Sequence, residues 1–387
     1  MKLAVLRNVA AISAILVLAA CTNGAKPKAP ETASNEIVIG AAGPMEGPLA
    51  AFGEQLHRGA LAAVTDINAK GGVLGKPLRL VVADDRCQPP KAVPTATDLV
   101  GQGAVFVVGH FCSGTSIPAS KVYRDAGVLQ ITPSSSNSEL TEQGIGTVFR
   151  VTNRDDAQGI FAGTWLAKSY AGKNLAVIDD EQPYGRDVAE QTAKTAEAQG
   201  LKPALMGSFK KNVTDFSDLI ARLKAAKIDV VFVGGYHDEV GPLVKQARAQ
   251  GFDGAFASDD ALNTPDFMTY AGSAADAVRF ADASSKTELA SAKDVVAKFR
   301  NGDYPFRSDR RYDPEGYTLN AYAAVQVFAA AAAGVGSTDA RKMAEWLRAN
   351  PVQTVIGDLS WDAKGDLTQL YYAWFSWQGG QYRQVPN

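Results

Sequence analysis

Short apolar runs rich in β-branched residues alternate with helical patterns from Glu36 onward, and this alternation constrains the fold more than any other feature. The run "EIVIGAA" indicates a strand, and the later segment "GEQLHRGALAAVTDINAKGG" indicates a helix. Four apolar residues fall on one face of this helix: Leu56, Ala60, Val64 and Ile67. Further strand runs are "LRLVVADD", "AVFVVG", "VLQIT", "NLAVIDD", "KPALMGSF", "DVVFVGG" and "GAFASDD". Strands that alternate with helices in this way predict right-handed, parallel βαβ units.

The number of strands and the chain length favour two lobes over one. The part of the chain able to fold is about 350 residues long, which exceeds a comfortable single core. We therefore predict an α/β fold with two doubly wound lobes. In such sheets ligands bind beyond the carboxyl ends of the strands. A single large sheet with an enzyme active site at its rim is the alternative that periodicity leaves open.

The N-terminus has the pattern of an export signal. Two basic residues precede an apolar run over residues 9–20, which is too short to span a bilayer and suits a secretory signal. The run ends in small residues before Cys21, as bacterial lipoprotein signals do. We predict a signal peptide over 1–20, lipid attachment at Cys21 and a flexible tether over 21–35. An ordinary signal peptide that leaves Cys21 as a spare thiol is the alternative.

These features predict an extracytoplasmic or periplasmic protein that is held to the membrane only through its lipid. The whole chain carries a net charge of −2, and residues 1–20 carry two positive charges and no negative ones, so their removal leaves −4. Without a basic block, this balance argues against nucleic acid or an anionic surface as a partner.

Several chemistries lack their residues. The three histidines, His57, His110 and His237, are far apart, and neither H-x-x-H nor C-x-x-C occurs, so we predict no metal site. The phosphate-binding G-x-x-x-x-G-K-[ST], the dinucleotide fingerprint G-x-G-x-x-G and the G-x-S-x-G elbow of hydrolases are also missing.

The cysteines leave two interpretations of the stretch "GHFCSGTSIPAS". If Cys21 is lipidated, Cys87 and Cys112 remain, and in an oxidising compartment such a pair is favoured over two free thiols. A disulfide across this separation would contribute about 3 kcal/mol. Alternatively, Cys112 is the nucleophile of a secreted hydrolase, with His110 as its base.

The loops that follow the strands carry side chains suited to a free amino acid. Hydroxyls and helix N-termini suit an α-carboxylate, a carboxylate with neutral oxygens suits an α-ammonium, and aromatic rings suit an apolar side chain. The candidates, in chain order, are Phe52, Ser113, Ser134, Ser135, Ser136, Tyr184, Tyr236, Asp259 and Asp260. Helix capping, rim packing and solvated turns are the structural alternatives for these serines, tyrosines and aspartates respectively.

At these residues the chain closely resembles the periplasmic leucine/isoleucine/valine-binding proteins, the soluble receptors of branched-chain amino-acid ABC importers. The resemblance runs from about Glu36 to about Trp377. It includes "DINAKGGVLGKPLRLVVADDRCQPPKAV", "VVGHFCSGTSIPAS", "ITPSSSNSELT", "DFSDLIARLKAAKIDVVFVGGYH" and "DLSWDAKGDL". The resemblance implies a type I periplasmic binding protein fold, a free amino acid as ligand, an ABC permease as partner, and neither catalysis nor a cofactor.

The resemblance also implies roles for single residues. Cys87 and Cys112 match the disulfide of the family, and Ser113 and Ser136 match its contacts to the α-carboxylate. Ser136 and Asp260, with the backbone carbonyl at Ser134, match the ammonium site. The aromatic contacts are matched by Phe52, Tyr184, Tyr236 and Tyr317.

Two departures from the family widen the predicted ligand. Asp260 stands where the branched-chain binders have glutamate, and the triplet Ser134, Ser135 and Ser136 replaces a more apolar stretch. A smaller or more polar amino acid, or a short amide, is therefore also a candidate ligand. A sensor that presents its ligand to a signalling receptor would share this fold, and the sequence does not separate that role from import.

The connectivity of the family implies a hinge in which the chain crosses between lobes three times. We predict crossings near Asp155, near Ser285 and around Ala363. The first lobe then comprises 36–154 and 285–362, and the second lobe comprises 155–284 and 363–387.

Overall fold

The structure, a computed structural model, describes residues 35–283, 286–306, 313–314 and 316–386. The predicted signal peptide, the lipid site at Cys21 and all but the last residue of the predicted tether lie outside these residues. The predicted crossing at Ser285 lies outside them as well.

The first stretch of the fold is a parallel sheet with helices on both faces. Its strands are β1 (Ile37–Gly43), β2 (Leu78–Asp84), β3 (Phe106–Gly109), β4 (Leu129–Thr132) and β5 (Val148–Arg150). Its helices are α1 (Ala50–Ala69), α2 (Pro89–Gly101), α3 (Ser113–Ala126) and α4 (Glu139–Glu142). The strand order is β2-β1-β3-β4-β5, with every neighbouring pair parallel. This sheet is the framework of the first lobe.

The chain then enters a second lobe. Its helices are α5 (Asp155–Ser169), α6 (Pro183–Ala198), α7 (Ser217–Ala225), α8 (His237–Ala249) and α9 (Asp266–Ala271). Its strands are β6 (Leu175–Asp179), β7 (Leu205–Ser208), β8 (Val230–Gly234), β9 (Ala255–Ser258) and β10 (Arg279–Asp282). Short 3-10 turns at Asp260–Leu262 and Gly272–Ala275 lie between β9 and β10. Both lobes are thus doubly wound, as the alternation predicts.

The remaining chain returns to the first lobe and ends in the second. A 3-10 turn (Ala290–Ala292), α10 (Lys293–Asn301), α11 (Thr318–Val335), α12 (Ala340–Ala349) and the hairpin of β11 (Val352–Thr354) and β12 (Gly357–Leu359) belong to the first lobe. Then β13 (Ala373–Gln378) and β14 (Gln381–Val385) complete a second sheet of order β14-β13-β10-β9-β8-β6-β7. Strand β13 runs antiparallel to β10, and its Trp374 and Trp377 are buried in the second lobe.

The eight strand runs identified in the sequence all form strands, and the helix predicted over 53–72 is α1. Leu56, Ala60 and Val64 are buried on its inner face, as the 3.6-residue period predicts. The helix ends before Gly72, which has φ of +78° and lies where a Cβ would approach the Lys76 carbonyl to 2.0 Å. That turn therefore requires glycine.

Helix α11 is the central helix of the first lobe. By length and composition it is apolar enough to cross a membrane, and it is the one helix of that kind within the described ranges. Most of it is buried, however, and its Phe328 stacks on Phe106 of β3 with ring centroids 4.6 Å apart. Its apolar character is therefore explained by its place in the core.

The third crossing lies further along the chain than the prediction around Ala363. The backbone N–H of Arg150 donates to the Gly365 carbonyl at 3.0 Å, and the Arg150 side chain donates to Asp366 at 2.6 Å. These bonds hold residues 361–367 on the first lobe, so the chain passes to the second lobe over 369–372. The prediction around Ala363 rests on the connectivity of the family, and the sequence there shows no sign of this buried ion pair.

Candidate functional site

The strand order places the two lobes' ligand-type loops at equivalent positions. The order reverses at β1 in the first sheet and at β6 in the second, and a crevice opens between the loops on either side of such a reversal. Phe52 and Ser113 lie in the first turns of the helices that follow β1 and β3. Tyr184 lies in the first turn of the helix after β6, and Tyr236 is the N-cap of the helix after β8. Four predicted site residues thus lie at the two topological switch points.

Aromatic rings from both lobes meet in one buried cluster. In the first lobe, Phe52 stacks on Phe111 at 4.7 Å between centroids, and Tyr317 stands edge-on to Phe111 at 4.9 Å. In the second lobe, Tyr184 lies 5.2 Å from Tyr236. All five rings are buried and belong to a single apolar cluster. The structure therefore brings together the four predicted aromatic residues and adds Phe111.

The Asp260 carboxylate lies at the polar end of this cluster. Its Oδ1 accepts a hydrogen bond from the Tyr184 hydroxyl at 2.6 Å and a longer one from the Gln158 amide at 3.3 Å. Its Oδ2 accepts one from the Tyr317 hydroxyl at 2.8 Å. Burial raises the pKa of both tyrosines well above the usual value, so the hydroxyls keep their protons and act as donors.

Two of the three serines after β4 hold their loop to the loop after β3. The Ser134 hydroxyl donates to the Phe111 carbonyl at 2.8 Å, and the Ser135 hydroxyl donates to the same carbonyl at 2.9 Å. Ser113 accepts a hydrogen bond from the Asn137 backbone N–H at 3.2 Å. The start of α3 is thus held against the residue that follows Ser136.

The two aspartates after β9 differ in environment. Asp259 is fully buried, and its carboxylate accepts hydrogen bonds from the backbone N–H groups of Gly235 at 2.8 Å and Ala261 at 3.1 Å. Burial, reinforced by the charge of Asp260, raises its pKa well above the usual value. Asp259 therefore shapes the loops that carry Tyr236 and Asp260, and Asp260 is the residue that reaches across to the first lobe.

The structure decides between the two interpretations of Cys112. Cys112 is joined to Cys87 in a disulfide, with Cα atoms 5.4 Å apart. His110 is buried, with Nδ1 2.6 Å from Asp85 and Nε2 2.8 Å from the Tyr123 hydroxyl. Both ring nitrogens are therefore engaged away from the sulfur, and the thiol–imidazole pair considered for a hydrolase is not formed.

The lobes are closed on one another around this site. The Asn137 side-chain amide donates to the Pro183 carbonyl at 2.7 Å, and both the N–H and the hydroxyl of Ser138 donate to Asp187 at 2.8 Å. Gly185 and Gly234 allow the Tyr184 and Tyr236 loops to approach, because a Cβ on Gly234 would lie 2.1 Å from the Gly185 carbonyl. These contacts define a closed cleft.

A cavity adjoins the cleft on the side of the crossings. Its volume is about 810 Å³, and it shares Asp260 and Tyr317 with the aromatic cluster. Asp282 and Asn320 are among its polar walls. Burial, followed by the charge of Asp260, raises the pKa of Asp282 to about 7. Among the residues that the structure describes, no group of three histidine, cysteine or acidic side chains is arranged to hold a metal ion.

Several residues near the site were not predicted from the sequence, because only the three-dimensional structure brings them there. Phe111 lies within a stretch already singled out, but its apolar character fits a strand end equally well. Gln158 and Asp155 lie on α5, away from any strand-end loop, and nothing in the helical pattern distinguishes them. Asn137 follows the serine triplet directly, so proximity to the triplet is the signal that points to it.

Comparison with known proteins agrees with this geometry. Residues 36–381 match the family described as periplasmic binding protein, and the chain belongs to that family. An amino acid binding protein of Pseudomonas aeruginosa is 43% identical over 355 residues, which cover 91% of this chain and 93% of that protein. The family is extracytoplasmic.

Two further relatives are named for the amino acids that they bind. A leucine-, isoleucine-, valine-, threonine- and alanine-binding protein of Pseudomonas aeruginosa is 37% identical and covers 89% of this chain and 91% of its own. Among solved structures, a branched-chain amino acid transporter substrate-binding protein of Streptococcus pneumoniae, in complex with isoleucine, superposes with a TM-score of 0.79 at 26% identity. It covers 90% of this chain and 99% of its own. These relatives are binding proteins.

Proposed function

We propose that the protein is the solute-binding component of an ABC importer and that it holds a free aliphatic amino acid between its two lobes. The observation that carries the proposal is the Asp260 carboxylate, which lies beside a buried aromatic cluster built from both lobes and bonds to Tyr184 and Tyr317. A negative charge beside apolar rings suits an ammonium group attached to an apolar side chain.

The remaining groups suit the rest of an amino acid. Ser113 is the first residue of α3, where the helix N-terminus favours a carboxylate. Ser136 is beside it and offers a hydroxyl. In this pose the ligand carboxylate faces Ser113 and Ser136, the ammonium faces Asp260 and Ser136, and the side chain lies against the rings of Phe52, Tyr184 and Tyr236. Relatives that bind leucine, isoleucine, valine, threonine or alanine support this ligand class.

Closure is the working step of the proposed mechanism. The ligand meets one lobe first and completes its contacts only when the other lobe closes, so it shifts the hinge equilibrium by its differential affinity. No covalent bond is made or broken. The disulfide of Cys112 supports this non-enzymatic role, because it leaves the site without a free thiol nucleophile.

The lobe boundaries that fit this mechanism are 36–154 with 285–367 and 155–284 with 368–387. The first part of each lobe follows the predicted domains, and the third crossing follows the Arg150 and Asp366 contacts. In the periplasm we expect Cys21 to carry the lipid that keeps the receptor near its permease, which raises its effective concentration there.

A thermal-shift screen of the ligand-stripped protein against the twenty amino acids and small amides tests the ligand. A true ligand at 100 times its Kd should stabilise the protein by about 2.7 kcal/mol. We expect leucine, isoleucine or valine, or a small neighbour such as alanine, to raise the melting temperature. A panel in which no amino acid raises it would refute the proposal.

The lipid anchor has its own test. Replacing Cys21 with serine should move the exported protein from the membrane fraction to the soluble periplasmic fraction. Helix α11, the one described helix that is long and apolar enough to cross a membrane, is mostly buried in the core and should not hold the protein there. Retention of the Cys21→Ser protein on membranes would contradict anchoring at this residue.

A further inference from the structure

Asp155 is a buried carboxylate that the structure leaves almost without partners. It is the first residue of α5, at the first crossing between the lobes, and its side chain is fully buried. Within the described part of the chain, neither oxygen has a hydrogen-bond partner of ordinary geometry; the Ser136 hydroxyl is merely close enough to lower its pKa. A buried charge with so few partners is costly unless something else supplies them.

The position of Asp155 is fixed beside the ligand-type loop. Its backbone N–H donates to the Ser136 carbonyl at 3.0 Å, which joins the start of α5 to the serine triplet. Its charge reaches Tyr184 and Tyr236 in the aromatic cluster. It also reaches Tyr372 at the third crossing. Asp155 therefore lies beside the serine loop of the first lobe, at the start of the first helix of the second lobe.

Arg150 is the positive group that acts on Asp155, but its guanidinium is directed to other acceptors. It donates to Asp366 at 2.6 Å and to the carbonyls of Ser135 and Asn137 at 2.6 and 2.8 Å. Among the described residues Asp155 therefore has no paired cation, and a bound cationic group would stabilise its charged form.

Asp260 is better supplied with donors than Asp155. It accepts from Tyr184, Tyr317 and Gln158, so much of its hydrogen-bonding capacity is already in use. Its side chain is also one methylene shorter than the glutamate that the family resemblance leads us to expect. An ammonium group beside Ser136 would therefore find more unfilled capacity on Asp155 than on Asp260.

We infer that Asp155 is a ligand-binding residue that accepts a hydrogen bond from the α-ammonium group, together with Ser136 and opposite Asp260. This inference rests on the proposed function and assigns the ammonium to two carboxylates of the second lobe, one at the start of α5 and one in the 3-10 turn after β9. Specificity for amino acids over the corresponding carboxylic acids would then depend on Asp155.

The inference has a proton-linked consequence. Burial first, and then the negative charges of Asp187 on α6 and Asp260 on the 3-10 turn, raise the pKa of Asp155 well above its usual value, while Ser136 and Arg150 on β5 lower it. The facing tyrosines, Tyr184, Tyr236 and Tyr372, remain neutral. A bound ammonium group would stabilise the charged form of this carboxyl, so we expect binding to lower the pKa of Asp155.

Calorimetric titration of the full chain carrying Cys21→Ser, stripped of ligand, tests the inference with two probes. L-Leucine carries the ammonium group, and 4-methylpentanoate is the same skeleton without it. For Asp155→Asn we expect the Kd of leucine to rise about tenfold or more, as for loss of a bond to a charged group, and the Kd of 4-methylpentanoate to change little. Asp156→Asn is the matched control, because its neighbouring carboxylate pairs with Arg154.

The outcomes separate the inference from the proposed function. If the parent protein binds leucine and Asp155→Asn binds it within twofold, the inference is overturned and the proposed function stands. If the parent binds no amino acid, the proposed function fails and the inference fails with it. If Asp155→Asn does not fold, Asp155→Glu takes its place, because it keeps the charge and moves the carboxylate: we expect the Kd of leucine to change more than that of 4-methylpentanoate, and equal changes for both probes would overturn the inference.

Discussion

The Tyr317 hydroxyl of the first lobe donates to Oδ2 of Asp260 in the second lobe at 2.8 Å. This bond spans the cleft, and it joins the N-terminus of α11 to the loop after β9. Because it joins the two lobes, we expect it to couple the predicted ammonium site to closure. The carboxylate that is proposed to recognise the ligand is thus also the acceptor of an interlobe hydrogen bond.

Removal of this hydroxyl should weaken ligand binding. In Tyr317→Phe the closed form loses a hydrogen bond to a charged group, which is worth about 1.5–3 kcal/mol, so we expect the Kd of the amino acid to rise about tenfold or more. Isothermal titration calorimetry measures the change. Tyr304→Phe is a suitable control, because its hydroxyl also donates to an aspartate, Asp66, but within the first lobe. Equal effects of both variants on Kd would contradict a role in closure.

The serine triplet should separate into binding and folding residues. Ser134→Ala loses a hydroxyl that donates to the Phe111 carbonyl, so we expect the free energy of unfolding to fall by about 1 kcal/mol with little change in Kd. Ser136→Ala should raise the Kd about fivefold with a smaller effect on stability. Paired urea denaturation and calorimetry check both. A loss of affinity in Ser134→Ala that exceeds the loss in Ser136→Ala would overturn this division.

The disulfide should stabilise the mouth of the cleft. Cys87 and Cys112 are 25 residues apart, so replacing both with serine should lower the free energy of unfolding by about 3 kcal/mol. Urea denaturation of the variant measures the loss, and the parent with its disulfide reduced provides a comparison. Thiol titration of the unfolded, unreduced parent should detect no sulfhydryl at these two positions. Two titratable thiols there would contradict the disulfide.

The fold was largely predictable because the spacing of apolar residues along the sequence identifies its repeating βαβ unit. Each βαβ unit has a short apolar run followed by an amphipathic helical pattern, and this pattern predicts eight of the strands. Strand β5 escaped detection because it has only three residues. Strands β13 and β14 escaped because their antiparallel pairing at the sheet's end depends on tertiary contacts of Trp374 and Trp377, not on an alternating pattern.

The buried ion pair between Arg150 and Asp366 should make the free energy of unfolding fall in acid. Burial alone would raise the pKa of Asp366, but Arg150 and Arg154 outweigh it and hold the pKa below its usual range. Such a group stabilises the fold above its unfolded pKa, near 4, and that stability is lost as the pH falls through the lower folded pKa.

Asp366→Asn removes this contribution and leaves Arg150 buried without its counter-ion, at a cost of about 3–5 kcal/mol. Urea denaturation between pH 3 and 7 should show a smaller stability loss with acid in the variant than in the parent. Asp125→Asn breaks an exposed pair with Arg124 and should alter little. An unchanged acid profile in Asp366→Asn would contradict the assignment.

The site was less predictable than the fold. The candidates Phe52, Ser113, Tyr184, Tyr236 and Asp260 were chosen because they follow strands in the sequence. The carboxyl ends of parallel strands lie at the same edge of a sheet, so residues that follow them lie near one another. The hydroxyls of Ser134 and Ser135 donate to a backbone carbonyl of the neighbouring loop. The sequence does not reveal which serines of the triplet make such bonds. The position of Asp155 depends on where the chain crosses between the lobes. The helical pattern of the sequence indicates only that it lies at the start of α5.

The central claim is that this cleft binds an unaltered amino acid between two closing lobes. A crystal structure of the ligand-stripped protein grown with L-leucine tests it most directly. The account predicts density for intact leucine between Ser113, Ser136 and Asp260, against the rings of Tyr184 and Tyr236. An empty cleft with leucine bound elsewhere, or density for a chemically altered product, would contradict it.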